Sequence, residues 1–118
     1  MRCFVLMRER SASFVLYRAM KCLQSIDSTA LDSIALLIIG STRNSNDEAL
    51  FRVLEGELIA CHLQHHVFLV RNSSHSDVQL YMRMATIGLH TMWNEHFGIS
   101  IVEMLASGLV VIAHNSGG

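Results

Sequence analysis

Apolar and polar positions fall in blocks along the chain, and the blocks change period. Residues 34–39, IALLII, are apolar without interruption and stop at Gly40. A short aliphatic run ended by glycine predicts a strand buried on both faces. The polar stretch STRNSNDE follows, after which Leu50, Val53, Leu54, Leu58 and Cys61 recur at helical spacing. That pattern predicts a helix over 48–63, with Asn46 or Asp47 as its cap. HHVFLV then predicts a second strand, NSSHSDV a loop rich in capping residues, DVQLYMRMA a short amphipathic helix and TIGLH a third strand. GISIVEMLASG places Ile99, Val102 and Leu105 or Ala106 on one helical face, with Gly108 positioned to end the helix, and LVVIAH predicts a fourth strand. Ahead of all these, residues 12–26 set Ala12, Val15, Leu16, Ala19, Leu23 and Ile26 on one side of a helix and Arg18, Lys21 and Gln24 on the other.

The predicted order is therefore α-β-α-β-α-β-α-β. Strands that are apolar throughout and joined by helices imply a parallel sheet covered on both faces, with right-handed crossovers. The expected fold class is α/β, a Rossmann-like doubly wound sheet. Such sheets bind ligands beyond the carboxyl ends of their strands, which directs attention to the loops STRNSND, RNSSHSD, TMWNEHFG and NSGG. The last strand runs into AHNSGG, where a glycine pair should open a turn or a further helix. The reading is thus of an incomplete domain, with residues 1–30 as a divergent N-terminal segment and 31–118 as the partial domain proper.

Composition narrows the function classes. Hydrophobic residues make up 51% of 118 residues, enough for a packed core. The net charge is −1 and no basic cluster carries interleaved aromatics, which argues against a nucleic-acid partner. Proline is absent, against roughly 5% in an average chain, which again fits a partial domain. The cysteines, Cys3, Cys22 and Cys61, form no C-x-x-C pair, so a disulfide framework or structural zinc site is not expected and a reducing environment is. No apolar run approaches the about 20 residues that a membrane span requires. Arg2, Arg8, Arg10, Arg18 and Lys21 against Glu9 give the N-terminus the composition of a transit peptide; the helical period over 12–26 favours an amphipathic domain helix with a ragged start.

The chemistry concentrates in NEHFGISIVE, residues 94–103. A helix starting near Gly98 or Ile99 leaves backbone N–H groups free, and its dipole favours an anion there. Gly98 lets a ligand approach the backbone. Glu95 flanks that anion site and suits hydrogen bonds from sugar hydroxyls; Glu103, further along the helix, suits a ribose diol. Two carboxylates about a helix start match a nucleotide sugar. The plainer reading makes Glu95 a favourable N-terminal charge and Glu103 a solvated helix residue.

The run ATIGLHTMWNEHFGISIVEMLASGLVVIAHNSGG, residues 85–118, with IALLIIGSTRNSNDE ahead of it, resembles the GDP-mannose-dependent α-1,2-mannosyltransferases of asparagine-linked glycosylation. These are retaining glycosyltransferases of the two-domain GT-B fold, and the likeness covers roughly residues 31–118, more weakly near 55–80. The spacing of the two glutamates is shared by many related glycosyltransferases, and GLHTMWNEHFGI and AHNSGG narrow it to this family. The resemblance implies an incomplete C-terminal, donor-binding half of such an enzyme. It implies that Glu95 faces the donor sugar as the catalytic glutamate, that His96, Phe97, Gly98 and Ile99 meet the diphosphate and sugar, and that Glu103 binds the ribose. The resemblance also implies that Gly40, Arg43 and Asn44 occupy a loop near the nucleotide. By the same resemblance the expected donor is GDP-mannose, with no metal or other cofactor required, and the expected acceptor is a dolichol-pyrophosphate-linked oligosaccharide at the cytosolic face of the endoplasmic reticulum membrane, with membrane contact expected from segments outside this chain. The resemblance also implies an arginine and a lysine after the first strand of this domain; MRCFVLMRER shows no such motif, with Arg8 and Arg10 as candidate stand-ins. Since the chemistry of such enzymes occurs between two domains, a single half-domain is expected to bind donor with little or no turnover. A non-catalytic fragment or an interaction module with a residual motif is the alternative.

The remaining candidates are weaker. Cys61, His62, His65 and His66 are grouped in CHLQHH, but the helix is expected to end before His65 and no carboxylate completes a zinc set. His90, His96 and His114 fall near strand ends, where each suits a phosphate or sugar hydroxyl or simple packing. Trp93 suits a loop anchor or a cleft wall, and Met82, Met84 and Met104 suit core filling.

Overall fold

The computed structural model describes residues 3–8 and 22–116. Five parallel strands form one sheet: β1 (Cys3–Arg8), β2 (Ile34–Gly40), β3 (Val67–Arg71), β4 (Ile87–His90) and β5 (Val110–Ala113). Their spatial order is β3-β2-β1-β4-β5. The helices are α1 (Ser28–Leu31), α2 (Ser45–Ala60), α3 (His75–Met84) and α4 (Ile99–Ala106). The doubly wound α/β class expected from the apolar blocks is the architecture observed.

The N-terminal strand corrects the predicted order. CFVLMR, read as the ragged lead-in to a helix, is the central strand, pairing β2 on one side from Cys3↔Ile34 to Arg8↔Ile39 and β4 on the other from Val5↔Ile87 to Met7↔Leu89. Strands from residues 3–8 and 34–113 therefore share one sheet. The predicted helix over 12–26 lies mostly outside the described residues; residues 22–25 are helical.

Alternation along β1 explains its position. Leu6 and Met7 are consecutive, so they point to opposite faces, and both are fully buried. Met7 joins Leu36, Ile38, Leu54, Leu58 and Val67 in a core under α2. Leu6 joins Ile39, Val78, Met82, Met104 and Leu109 in a second core under α3 and α4. One strand thus anchors both layers.

Helix ends follow local chemistry. Asn44, in extended conformation (φ −151°), caps α2, its side-chain oxygen accepting from Asn46 N and Asp47 N at 3.0 Å each. The cap is thus two or three residues earlier than Asn46 or Asp47, because a cap must sit outside the helix and accept from the N2 or N3 amide. Ser74 caps α3 through Asp77 N. Both α2 and α4 close in Schellman motifs. In α4, Gly108 (φ 85°) donates to Leu105 O and Leu109 to Met104 O. In α2 the left-handed position falls to His62 (φ 56°), with His62 N bonded to Ile59 O and Leu63 N to Leu58 O.

Candidate functional site

Because β2 and β3 extend the sheet to one side of β1 and β4 and β5 to the other, the connections diverge between β1 and β4. This is the point at which open α/β sheets leave a crevice. An open groove of about 710 Å³ lies at that end of the sheet. One wall comes from the ends of β2 and β3 and their loops: Ile39, Gly40, Ser41, Arg43, Asn44, Asp47, Ser73, His75 and Val78. The other comes from β4, its loop and the start of α4: His90, Met92, Glu95, Ile99 and Ser100.

The first wall is tied together by reciprocal bonds. Thr42 N donates to Asn72 Oδ1 and Asn72 Nδ2 donates to Thr42 Oγ1, both at 2.9 Å, while Asn72 N donates to Gly40 O at 2.9 Å. Asn72 adopts a left-handed conformation (φ 54°), which asparagine tolerates better than most residues. Arg43 N donates to Asp47 Oδ2 at 2.9 Å, shaping the loop so that Arg43 lines the groove.

The second wall is built around Gly98. It precedes α4 in a left-handed conformation (φ 69°, ψ 50°) and offers no side-chain cap. Ile101 N and Val102 N bond to Gly98 O, leaving the amides of Ile99 and Ser100 as donors without a helical partner. Both residues line the groove, so the positive end of the helix dipole faces it. The stem of Glu95 packs across Gly98: a Cβ at Gly98 would lie 3.4 Å from Glu95 Cγ. The Glu95 carboxylate accepts from His96 N through Oε1 at 3.1 Å, and its Oε2 lies 3.3 Å from His90 Nε2. That second contact is off the line of a hydrogen bond, so neither ring nitrogen of buried His90 has a hydrogen-bond partner among the described residues. Asn94 turns the loop (φ 56°) and its N–H donates to Ser116 Oγ at 2.9 Å; the Trp93 and His114 rings meet edge-on at 4.4 Å.

Among the candidates from sequence, Gly40, Arg43, Asn44, Glu95 and Ile99 come together in the groove, although the Asn44 side-chain oxygen is engaged in capping α2. Gly98 supports the groove from behind. Phe97 is strongly exposed (78%), and His96 adjoins Glu95 without lining the groove. Glu103 is half-buried on α4 beyond the groove lining. Arg8 closes β1 in register with Ile39, at the carboxyl end of the strands; Arg10 lies outside the described residues. Ser73, His75, Met92 and Ser100 were not singled out, and Asp47 only as a helix cap, although all but Ser100 lie in loops already flagged. Among the described residues no three His, Cys, Asp or Glu side chains are grouped to hold a metal ion, and no helix is long and apolar enough to cross a membrane.

Comparison with known proteins places this geometry in context. Residues 13–118 match the model of the glycosyl transferases group 1. The chain is 49% identical over 88 residues to a mouse protein named GDP-Man:Man(3)GlcNAc(2)-PP-Dol alpha-1,2-mannosyltransferase, covering 73% of this chain and 18% of the relative. A Neurospora crassa protein of the same name is 34% identical over 113 residues, covering 93% of this chain and 20% of the relative. The chain thus spans about a fifth of these relatives' length. Among solved structures, the C-terminal domain of a group 1 glycosyl transferase (LpcC) from Francisella tularensis superposes with a TM-score of 0.75 at 17% identity, covering 98% of this chain and 59% of that one. Anabaena Alr3699/HepE, solved in complex with UDP and glucose, superposes with a TM-score of 0.77 at 19% identity, covering 99% of this chain and 30% of that one.

Proposed function

We propose, from the premise that the chain belongs to the glycosyl transferases group 1 family, that its groove holds the nucleotide-sugar donor of a mannosyl transfer. The donor is GDP-mannose and the acceptor a dolichol-pyrophosphate-linked oligosaccharide, the chemistry contained in the names of the relatives. The observation that carries the reading is the placement of Glu95 across Gly98, beside the amides that open α4 without a helical partner.

In the transfer, the bond between mannose C1 and the diphosphate oxygen breaks and a bond from the acceptor hydroxyl oxygen to C1 forms. The hydroxyl proton passes to the departing diphosphate, and GDP leaves. Negative charge grows on the leaving oxygen, and the amides of Ile99 and Ser100 with the α4 dipole suit its stabilisation. Arg43, on the opposite wall, adds a positive charge. Glu95 suits hydrogen bonds from the mannose hydroxyls, holding the ring while positive charge develops at C1. Glu103 is assigned the ribose diol, which requires the nucleoside to extend past the groove mouth along α4. The diphosphate charge is met by helix and arginine, without a metal ion. On this reading the work is done at the cytosolic face of the endoplasmic reticulum membrane, with membrane contact made by parts of the full-length enzymes outside the shared stretch.

A thermal-shift titration with GDP, GDP-mannose and UDP tests the reading. A rise in melting temperature with GDP and GDP-mannose, and a weaker one with UDP, is expected; no shift at millimolar nucleotide rejects it. A second reading, an interaction module, draws support from exposed apolar residues in two places, Ile99, Val102 and Leu105 on α4 and Val110 and Ile112 on β5. Light scattering that finds only a monomer at high concentration rejects self-association through either.

A further inference from the structure

The buried imidazole beneath the groove is unexplained by packing alone. His90 is 4% exposed, yet both its ring nitrogens are buried without a hydrogen-bond partner among the described residues. Buried polar atoms are nearly always satisfied, so an unsatisfied pair calls for a specific cause. The ring is fixed from below: His90 is the last residue of β4, in register with Ala113, and its carbonyl accepts from His114 N at 3.3 Å. The carboxylate above it stands on a loop. Glu95 Oε2 lies 3.3 Å from Nε2, so a small swing of the glutamate brings the pair into line.

We propose that His90 is a positioning residue for Glu95. A proton on Nε2 draws Oε2 down while Oε1 stays on the His96 amide. The carboxylate is then anchored by both oxygens, and its remaining lone pairs face the groove. Burial matters here, because water does not compete for the ring and the tautomer is set by the carboxylate. Without His90, the Glu95 carboxylate keeps, among the described residues, its hydrogen bond from the adjacent amide alone and can turn toward solvent. The inference rests on the donor-site reading for its functional consequence, while the pairing itself does not.

The test has two arms. Long-range 1H–15N spectra of the histidine-labelled chain are expected to show the His90 proton on Nε2, with ring signals that move strongly in Glu95→Ala. A proton on Nδ1 alone, or signals indifferent to Glu95→Ala, overturns the pairing. In nucleotide titrations, His90→Phe should weaken GDP-mannose binding about tenfold more than GDP binding, the loss of one hydrogen bond to a charged group. His90→Gln, whose amide reaches toward the Nε2 position, should restore most of that loss, and His90→Phe should have no added effect in a Glu95→Ala background. An equal loss for both nucleotides, or a full effect of His90→Phe in that background, overturns the inference. If the parent chain binds neither nucleotide, the donor-site reading falls and the spectra alone decide the pairing.

Discussion

Gly88 lies directly beneath Met104: a Cβ on Gly88 would stand 2.5 Å from Met104 Sδ, 3.3 Å from Met104 Cβ and 3.2 Å from Leu109 Cδ2. The missing side chain on β4 is what lets α4 sit close to the sheet, and α4 carries the donor end of the groove. Gly88→Ala should destabilise the chain by about 1–3 kcal/mol through overpacking and should weaken nucleotide binding by lifting the start of α4. Combined with Met104→Ala, the loss should be less than additive, since the two changes share one space. Urea unfolding of the single and double variants measures it.

The two glutamates should separate by ligand. Glu95→Ala is expected to weaken GDP-mannose binding by about tenfold, one charged hydrogen-bonding group, with little effect on GDP. Glu103→Ala should weaken both nucleotides alike, because both carry the ribose. Calorimetric titration of each variant, with circular dichroism to confirm folding, distinguishes the roles. Equal sensitivity of GDP and GDP-mannose to Glu95→Ala would remove the sugar assignment.

Asn72 serves as a clamp between two loops, through its exchange of bonds with Thr42. Asn72→Ala removes both and leaves alanine in a left-handed conformation. A loss of about 1–3 kcal/mol is expected, of the size set by two exposed hydrogen bonds and the backbone preference. Hydrogen exchange at the Thr42 amide should accelerate more than exchange within β2, showing that the loop opens while the sheet persists.

His62 is the reverse case. It occupies the left-handed C′ position of the α2 Schellman motif, which costs an L-residue roughly 1–2 kcal/mol and glycine nothing comparable. His62→Gly should therefore stabilise the chain by about 0.5–1 kcal/mol after the greater entropy of unfolded glycine is subtracted, visible as a raised urea midpoint with an unchanged slope.

Much of this architecture is written in local pattern. The aliphatic run of β2, the glycines that end α4 and open it, and the polar loops after each strand are all legible because each depends on neighbouring residues. β1 is not. Its six residues, CFVLMR, sit among arginines and show no alternation, since both faces are buried; what makes them a strand is the pair of partners far along the chain. The sequence pattern predicts Asn46 or Asp47 as the cap of α2, and only the backbone conformation shows that Asn44, outside the helix, takes the role. His62 in a glycine position carries no sequence signal. Glu95 and Glu103 were identified together from their spacing, but only the fold shows that one lines the groove and the other stands beyond it.

The central position of β1 also fixes the order in which the molecule can be assembled. Its partners are residues 34–39 and 87–89, so a growing polypeptide exposes Leu6 and Met7 long before the second partner is synthesised. Parallel pairing over such separations is slow, and an apolar segment waiting with open sides invites aggregation and chaperone capture. The residues that hold both layers of the finished domain are thus the ones most at risk during its synthesis.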